Sequence, residues 1–169
     1  MQTIGSLNNW QRRGLGILAL GGGAVGFASS MSAVLQAQVP TTTTILPFTL
    51  AQAFFLWGIW CGVQMLEGGR QALYRNALFW LAQVPLLQTP VFGYAVFCGG
   101  QLQVFAKLSP FQLGFFGSGF GAQFSLNLGQ PGARFAIGVN LLALCMSFWL
   151  MRQCERADRA LSPAPATPA

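Results

Sequence analysis

Four long apolar stretches, separated by short polar segments, dominate the pattern of hydrophobic and polar positions along the chain. They cover residues 14–37, 48–66, 77–98 and 135–151. About 20 apolar residues cross the hydrocarbon core of a bilayer as an α-helix, so each stretch is close to the length of one membrane span. The pattern predicts an all-α membrane protein in which four transmembrane helices form a bundle.

The segment 99–134, between the third and fourth predicted spans, is rich in glycine and phenylalanine. Apolar and polar residues alternate over 111–115 and again over 124–128, and a period of two is typical of β-strands. The glycine-rich residues 117–121 (GSGFG) lie between these two runs. The external loop is therefore predicted to contain a short β-hairpin with its turn in GSGFG.

A hairpin alone is marginally stable in water, so its apolar side needs another surface to cover it. The loop's aromatic side chains are the candidate partner-docking residues, namely Phe111, Phe115, Phe120 and Phe124. Three surfaces fit this need: the chain's own helix bundle, a partner protein, or a bound substrate for which the loop acts as a lid.

The charges are few and unevenly distributed. Charged residues make up 7% of the chain, against roughly 25% in soluble domains. Seven Lys and Arg (positions 12, 13, 70, 75, 152, 156 and 159) flank the predicted spans on one side, and Lys107 and Arg134 lie on the other. The positive-inside rule then places both termini in the cytoplasm, and a bacterial inner membrane is the expected location.

The segments outside the predicted bundle are short. Residues 1–13 form a cytoplasmic lead-in, and residues 152–169 form a helical extension that ends in a Pro/Ala-rich, disordered tail. The net charge of +6 is explained by membrane topology and contact with anionic lipid, so nucleic acid is not an expected partner.

Small residues recur every four positions in the first predicted span, at Gly22, Gly26 and Ser30. This spacing puts them on one helix face, where two backbones can approach closely. The simpler interpretation is packing against another helix of the same chain. The alternative is a contact with another subunit.

Prolines and uncharged polar residues mark the other spans. Pro85 and Pro90 lie in the third predicted span, where each removes a backbone donor and is expected to kink the helix. Gln52, Gln88 and Asn140 are predicted to form a polar cluster in the outer half of the bundle. Such a cluster holds helices together by hydrogen bonds or lines a path for a substrate.

Catalytic chemistry has few candidate groups in this chain. Histidine is absent, there are three acidic residues, and the four cysteines include no CxxC pair. These counts argue against a catalytic triad, a carboxylate pair, a metal site and a ligated cofactor. The expected function is that of a non-catalytic accessory or scaffold subunit, in contact with lipid and with other membrane subunits or copies of itself. The alternative is a small transporter or channel-like protein, and a membrane enzyme that acts on lipid is the third hypothesis.

Overall fold

The computed structural model of the protein describes residues 7–36, 42–69, 71–108, 110–128 and 134–161. Over these residues it contains helices and an antiparallel sheet, in the chain order α1 (Asn9–Gln36), α2 (Thr42–Glu67), α3 (Ala72–Leu81), β1 (Pro85–Gln88), β2 (Phe92–Leu108), β3 (Phe111–Leu128), β4 (Ala136–Asn140) and α4 (Leu141–Leu161). The prediction of an all-α bundle of four membrane helices is therefore wrong. The lead-in residues 1–6 and the tail residues 162–169 lie outside the described part of the chain.

The third apolar stretch is divided between a helix and two strands. Helix α3 ends at Leu81, and Pro85 begins β1. Proline disfavours helical geometry in the residue before it, so the helix stops short of Pro85. Pro90 lies in the bend between β1 and β2, so neither proline kinks a helix. A short, wholly apolar run has the same periodicity in a buried strand as in a buried helix, which explains the error.

The predicted hairpin exists in a different place. Strands β2 and β3 pair antiparallel from Leu108 opposite Phe111 to Phe92 opposite Leu128, so the chain reverses between Leu108 and Phe111. Residues 117–121, the predicted turn, lie inside β3. The two alternating runs therefore belong to one long strand. The glycines of this segment therefore lie within an extended strand and do not mark a chain reversal.

The fourth apolar stretch is also not a single helix. Its first residues form β4, and α4 begins at Leu141 and continues to Leu161. Only two helices of the described chain, α1 and residues 45–67 of α2, are long and apolar enough to cross a membrane. They contain residues 14–36 of the first predicted span and all of the second. Of their most apolar segments, 22% of residues in α1 and 33% in α2 are buried inside the protein.

The strands form a sheet in the order β1-β4-β2-β3, with an additional pairing between β1 and β2. Strand β1 is antiparallel to β4 and to the start of β2, whereas β4 is antiparallel to the end of β2. A straight β2 cannot satisfy all three relations, so β2 bends strongly. The bend lies near Gly99, whose φ is 94°, and near the register shift between Gln101 and Gln103. Strands β1, β4 and the two ends of β2 thus close a small ring.

Helices α1 and α2 pack antiparallel, and the sheet packs against the middle of α1. Gly16 lies beside Leu66, whereas Gly23 lies beside Phe55. At one end of this pair, α3 and α4 complete a core that contains Leu15, Met65, Leu73, Trp80 and Leu150. A second core joins both long helices to β2 through Ala19, Phe55, Phe79 and Cys98.

Candidate functional site

The C-terminal part of β2, together with its partners on β3 and β4, forms a piece of sheet with two different faces. Register pairs place Val104 beside Phe115, Ala106 beside Leu113, and Leu108 beside Phe111. Strand β4 adds Ile137 beside Ala106. Register partners project to the same side of a sheet, and successive residues alternate between sides. All these side chains therefore lie on one side of the sheet.

We call the exposed members of this set the outer face, which consists of Val104, Leu108, Phe111, Leu113, Phe115 and Ile137. Their exposed fractions run from 36% at Val104 to 72% at Leu113. None carries a charged or polar group. An exposed apolar area of this kind, without interruption by charge, usually marks a contact with another protein or with a membrane.

The alternate residues of the same strands form the inner face. Gln103, Phe105 and Lys107 of β2 lie on this side, together with Gly138 of β4. The Phe105 ring lies directly over Gly114 of β3, where any larger residue would collide with it. A glycine at this register position thus allows the aromatic ring to lie flat across the sheet.

A half-open cavity of about 230 Å³ lies between the strands of the ring, against this inner face. We call it the strand cavity. Its other walls are supplied by Leu86 and Leu87 of β1 and by Tyr94 and Ala95 of β2. The Tyr94 hydroxyl donates a hydrogen bond to the Ala82 carbonyl oxygen at 2.7 Å, so it is already engaged outside the cavity.

Lys107 is the one charged side chain in the lining of the strand cavity. It is half-buried, and its Nζ lies 5.6 Å from the centre of the Phe105 ring. The three acidic residues of the chain all lie in its described part, and the single ion pair there joins Arg159 and Glu155 at 3.8 Å. No carboxylate of the described chain therefore neutralises Lys107.

The small residues predicted for helix packing face the interior of the protein. An added Cβ on Gly22 would meet the Gly99 backbone, and one on Gly26 would meet the Phe55 ring. Ser30 donates a hydrogen bond to the Gly26 carbonyl oxygen at 2.8 Å. The contacts of Gly22 and Gly26 join α1 to β2 and α2 of the same chain, and the Ser30 hydrogen bond lies within α1.

The residues of the predicted polar cluster share no hydrogen bond in the described structure. Gln52 donates through Nε2 to the Ser30 hydroxyl at 2.8 Å. Gln88 is exposed in β1. Asn140 is fully buried, and its Oδ1 accepts hydrogen bonds from the backbone N–H groups of Leu102 and Ala143. Gln52 and Asn140 thus each make local hydrogen bonds, and none of the described bonds joins the three predicted residues to one another.

The predicted docking phenylalanines are divided between several environments. Phe111 and Phe115 belong to the outer face, and Phe120 is 87% exposed elsewhere on β3. Phe124 packs between the helices and the sheet, with its ring centre 6.2 Å from that of Phe54 and 6.4 Å from that of Phe55. The outer-face residues of β2 and β4 were missed, because their alternation becomes visible only when the strand register is known.

Three of the four thiols are poorly placed for nucleophilic chemistry, whereas Cys145 is exposed on α4. Cys61 and Cys98 are fully buried, and Cys154 is partly covered on α4. Burial raises the pKa of the Cys154 thiol, and the nearby Asp158 and Glu155 carboxylates raise it further. A higher pKa leaves less thiolate at neutral pH, and the thiolate is the nucleophile.

This gives a first prediction, for the alkylation of Cys154 by iodoacetamide at pH 8. The folded protein should react more slowly than the same cysteine in the unfolded chain, and Asp158→Asn should increase the rate severalfold by removing one of the negative charges. Peptide-resolved mass spectrometry measures the rate, with Arg152→Gln as a control for a general change in charge. An unchanged rate in Asp158→Asn would contradict this account of the thiol.

Neither metal-ligating residues nor similarity to known proteins identifies a function for the chain. Within the described ranges, no three His, Cys, Asp or Glu side chains lie close enough to hold a metal ion. The chain matches no known family model, no curated protein and no solved structure. The outer face and the strand cavity are therefore the features from which a function has to be argued.

Proposed function

We propose that the protein is a non-catalytic subunit of a larger membrane complex and that its outer face binds another subunit of that complex. The observation that carries the proposal is the contact between the sheet and the middle of α1, at Gly22 and Gly99. This contact matters because it determines how deep the sheet lies in a bilayer that α1 crosses.

Gly22 is 13 residues from the start of α1 at Asn9 and 14 from its end at Gln36. With a rise of about 1.5 Å per residue, roughly 20 Å of helix lies on each side of Gly22. The hydrocarbon core of a bilayer is about 30 Å thick. If α1 crosses the membrane, the part of the sheet around Gly99 therefore lies at the depth of the hydrocarbon.

A sheet edge at that depth needs a protein partner. Strand β3 is at the end of the sheet order, and among the described residues it pairs only with β2. Lipid cannot form hydrogen bonds with the unpaired backbone groups of an edge strand, so open edges do not occur in contact with hydrocarbon. Another polypeptide can cover such an edge by packing against it or by adding a strand.

The outer face suits an apolar partner surface. It borders the free edge of β3 through Phe111, Leu113 and Phe115, which are 65–72% exposed. An apolar face alone would also be compatible with lipid. The combination of an apolar face and an unpaired backbone edge favours a protein, because only a protein satisfies both.

The orientation proposed from the charges is compatible with this arrangement. Arg12 and Arg13 lie at the start of α1, and Arg75 lies on α3 beside the end of α2. These elements and α4 meet at one end of the helix pair. We place this end in the cytoplasm of the cell, on the strength of the positive-inside rule.

The proposal predicts a position-specific cross-link. A photoreactive amino acid at Leu113, on the outer face, should form a covalent adduct with one other polypeptide in native membranes. The control site is Val91, which is 76% exposed in the bend before β2 and lies outside the outer face. Mass spectrometry of the adduct should identify the same peptide of the same partner in independent preparations.

The same pair of sites tests the stability of the complex. Leu113→Ser should release the partner during purification in mild detergent, whereas Val91→Ser should retain it. Both side chains are exposed, so neither change removes a core contact. Adducts with lipid alone, adducts with a second copy of this chain, or equal retention of the partner by both variants would overturn the proposed function.

A further inference from the structure

We propose that the strand cavity is a binding site for a small monocarboxylate with an apolar body, such as a medium-chain fatty acid. This proposal does not depend on the outer face or on a protein partner. It rests on three features of the cavity: its apolar walls, its size, and one cation without a counter-charge.

The walls select an apolar body. The side chains of Leu86, Leu87 and Phe105 line the cavity, and the Tyr94 hydroxyl is engaged with the Ala82 carbonyl oxygen. An engineered apolar cavity of ~150 Å³ holds a molecule the size of benzene. The strand cavity, at about 230 Å³, therefore accepts a somewhat larger apolar group.

The charge selects an anion. Lys107 is half-buried at the cavity wall, and none of the described carboxylates forms an ion pair with it. A cation held away from bulk water is stabilised by a paired anion with which it can form hydrogen bonds. A single ammonium group matches a ligand with a single negative charge. Phosphate is commonly held by several donors or by an arginine fork, and Lys107 is the sole cation among the lining residues.

Gln103 and Gln88 contribute the remaining polar groups of the lining. Gln103 donates through Nε2 to the Gln101 Oε1 at 2.6 Å, which fixes the orientation of its amide. Another groove, between α2 and β3, is about 340 Å³ and is lined by apolar side chains and Tyr94. It contains no charged group and so offers no comparable basis for selecting a ligand.

Sodium octanoate is the probe for this site. Binding to the full chain in lipid nanodiscs is measured by equilibrium dialysis with labelled octanoate, after subtraction of the uptake by empty nanodiscs. Saturable binding with one octanoate per chain is expected. 1-Octanol has the same chain length without the charge, and it should bind at least about tenfold more weakly if the ammonium group contacts the carboxylate.

Substitutions at two cations separate a specific role of Lys107 from a general effect of charge. Lys107→Gln should weaken octanoate binding at least about tenfold, and Lys107→Arg should retain most of it. Arg152→Gln is the matched control, because the Arg152 guanidinium also lies over a phenylalanine ring, 4.5 Å from that of Phe148, but on the surface of α4. This variant should bind octanoate as the unchanged protein does.

A third variant tests the cavity itself. Ala95→Leu places a larger side chain in the wall of the strand cavity and should reduce octanoate binding without changing the charge. Circular dichroism checks that each variant is folded. The proposal is overturned if the folded protein does not bind octanoate saturably, if octanol binds equally well, or if Lys107→Gln binds octanoate as tightly as Arg152→Gln.

Discussion

Replacing Gly22 by alanine should destabilise the protein by about 1–2 kcal/mol, whereas the same change at Gly21 should stabilise it by up to about 1 kcal/mol. A Cβ built on Gly22 would lie 2.9 Å from the Gly99 Cα and 2.9 Å from the Cys98 Sγ. A Cβ on Gly21 would meet no atom within 4 Å. Both residues lie inside α1, so alanine improves helix propensity equally at the two positions. The difference between the variants thus isolates the contact between α1 and the sheet.

Thermal unfolding in one detergent, followed by circular dichroism, measures this difference. Hydrogen exchange shows which part of the structure is destabilised. Gly22→Ala should increase exchange in β2 around Gly99 before it does so in α3. The sheet would not pack against the middle of α1 if the two variants had equal stability. Because the depth of the sheet in a bilayer is inferred from that contact, such a result would also remove the support for the proposed function.

Replacing Asn140 by alanine should destabilise the fold by about 2–3 kcal/mol. The Asn140 Oδ1 accepts a hydrogen bond from the Ala143 N–H at 3.3 Å, which caps the start of α4. It also accepts one from the Leu102 N–H at 3.1 Å, which holds β2 beside β4. Alanine removes this one accepting oxygen at a fully buried position and leaves both N–H donors without it.

Two further variants give this measurement its controls. Gln88→Ala, at an exposed position of β1, should change stability by less than about 0.5 kcal/mol. Asn140→Asp keeps the accepting oxygen at a helix start, where a negative charge is favourable, and should recover part of the loss. If aspartate were as destabilising as alanine, the lost hydrogen bonds would not be the main cause. Denaturant unfolding provides the free energies.

The positions of the first two apolar helices could be predicted from the sequence because their apolar runs exceed the length of most buried strands. The small residues Gly22, Gly26 and Ser30 also indicated a face for close packing. The nature of the surface against Gly22 could not be predicted. The structure places the backbone of a strand there, and a strand beside a helix leaves no periodic trace in the helix sequence.

The error at residues 77–98 has a different cause. An apolar run interrupted by proline is compatible with a kinked membrane helix and with a helix followed by strands. The choice depends on partners distant in the chain, since β1 pairs with β4, about 50 residues later. The candidate site shares this dependence, because Lys107 and the outer-face residues come together only through the register of β2, β3 and β4.

Composition and local pattern indicated the scarcity of charge, the two long apolar helices and the extended structure of residues 111–115 and 124–128. These properties depend on short-range periodicity and on the transfer of side chains from water, which are encoded residue by residue. Only the tertiary structure decided where the chain reverses, which face of the sheet is left exposed, and which cation lines a cavity. Those features depend on backbone hydrogen bonds between distant segments, and every residue except proline offers the same backbone donor and acceptor.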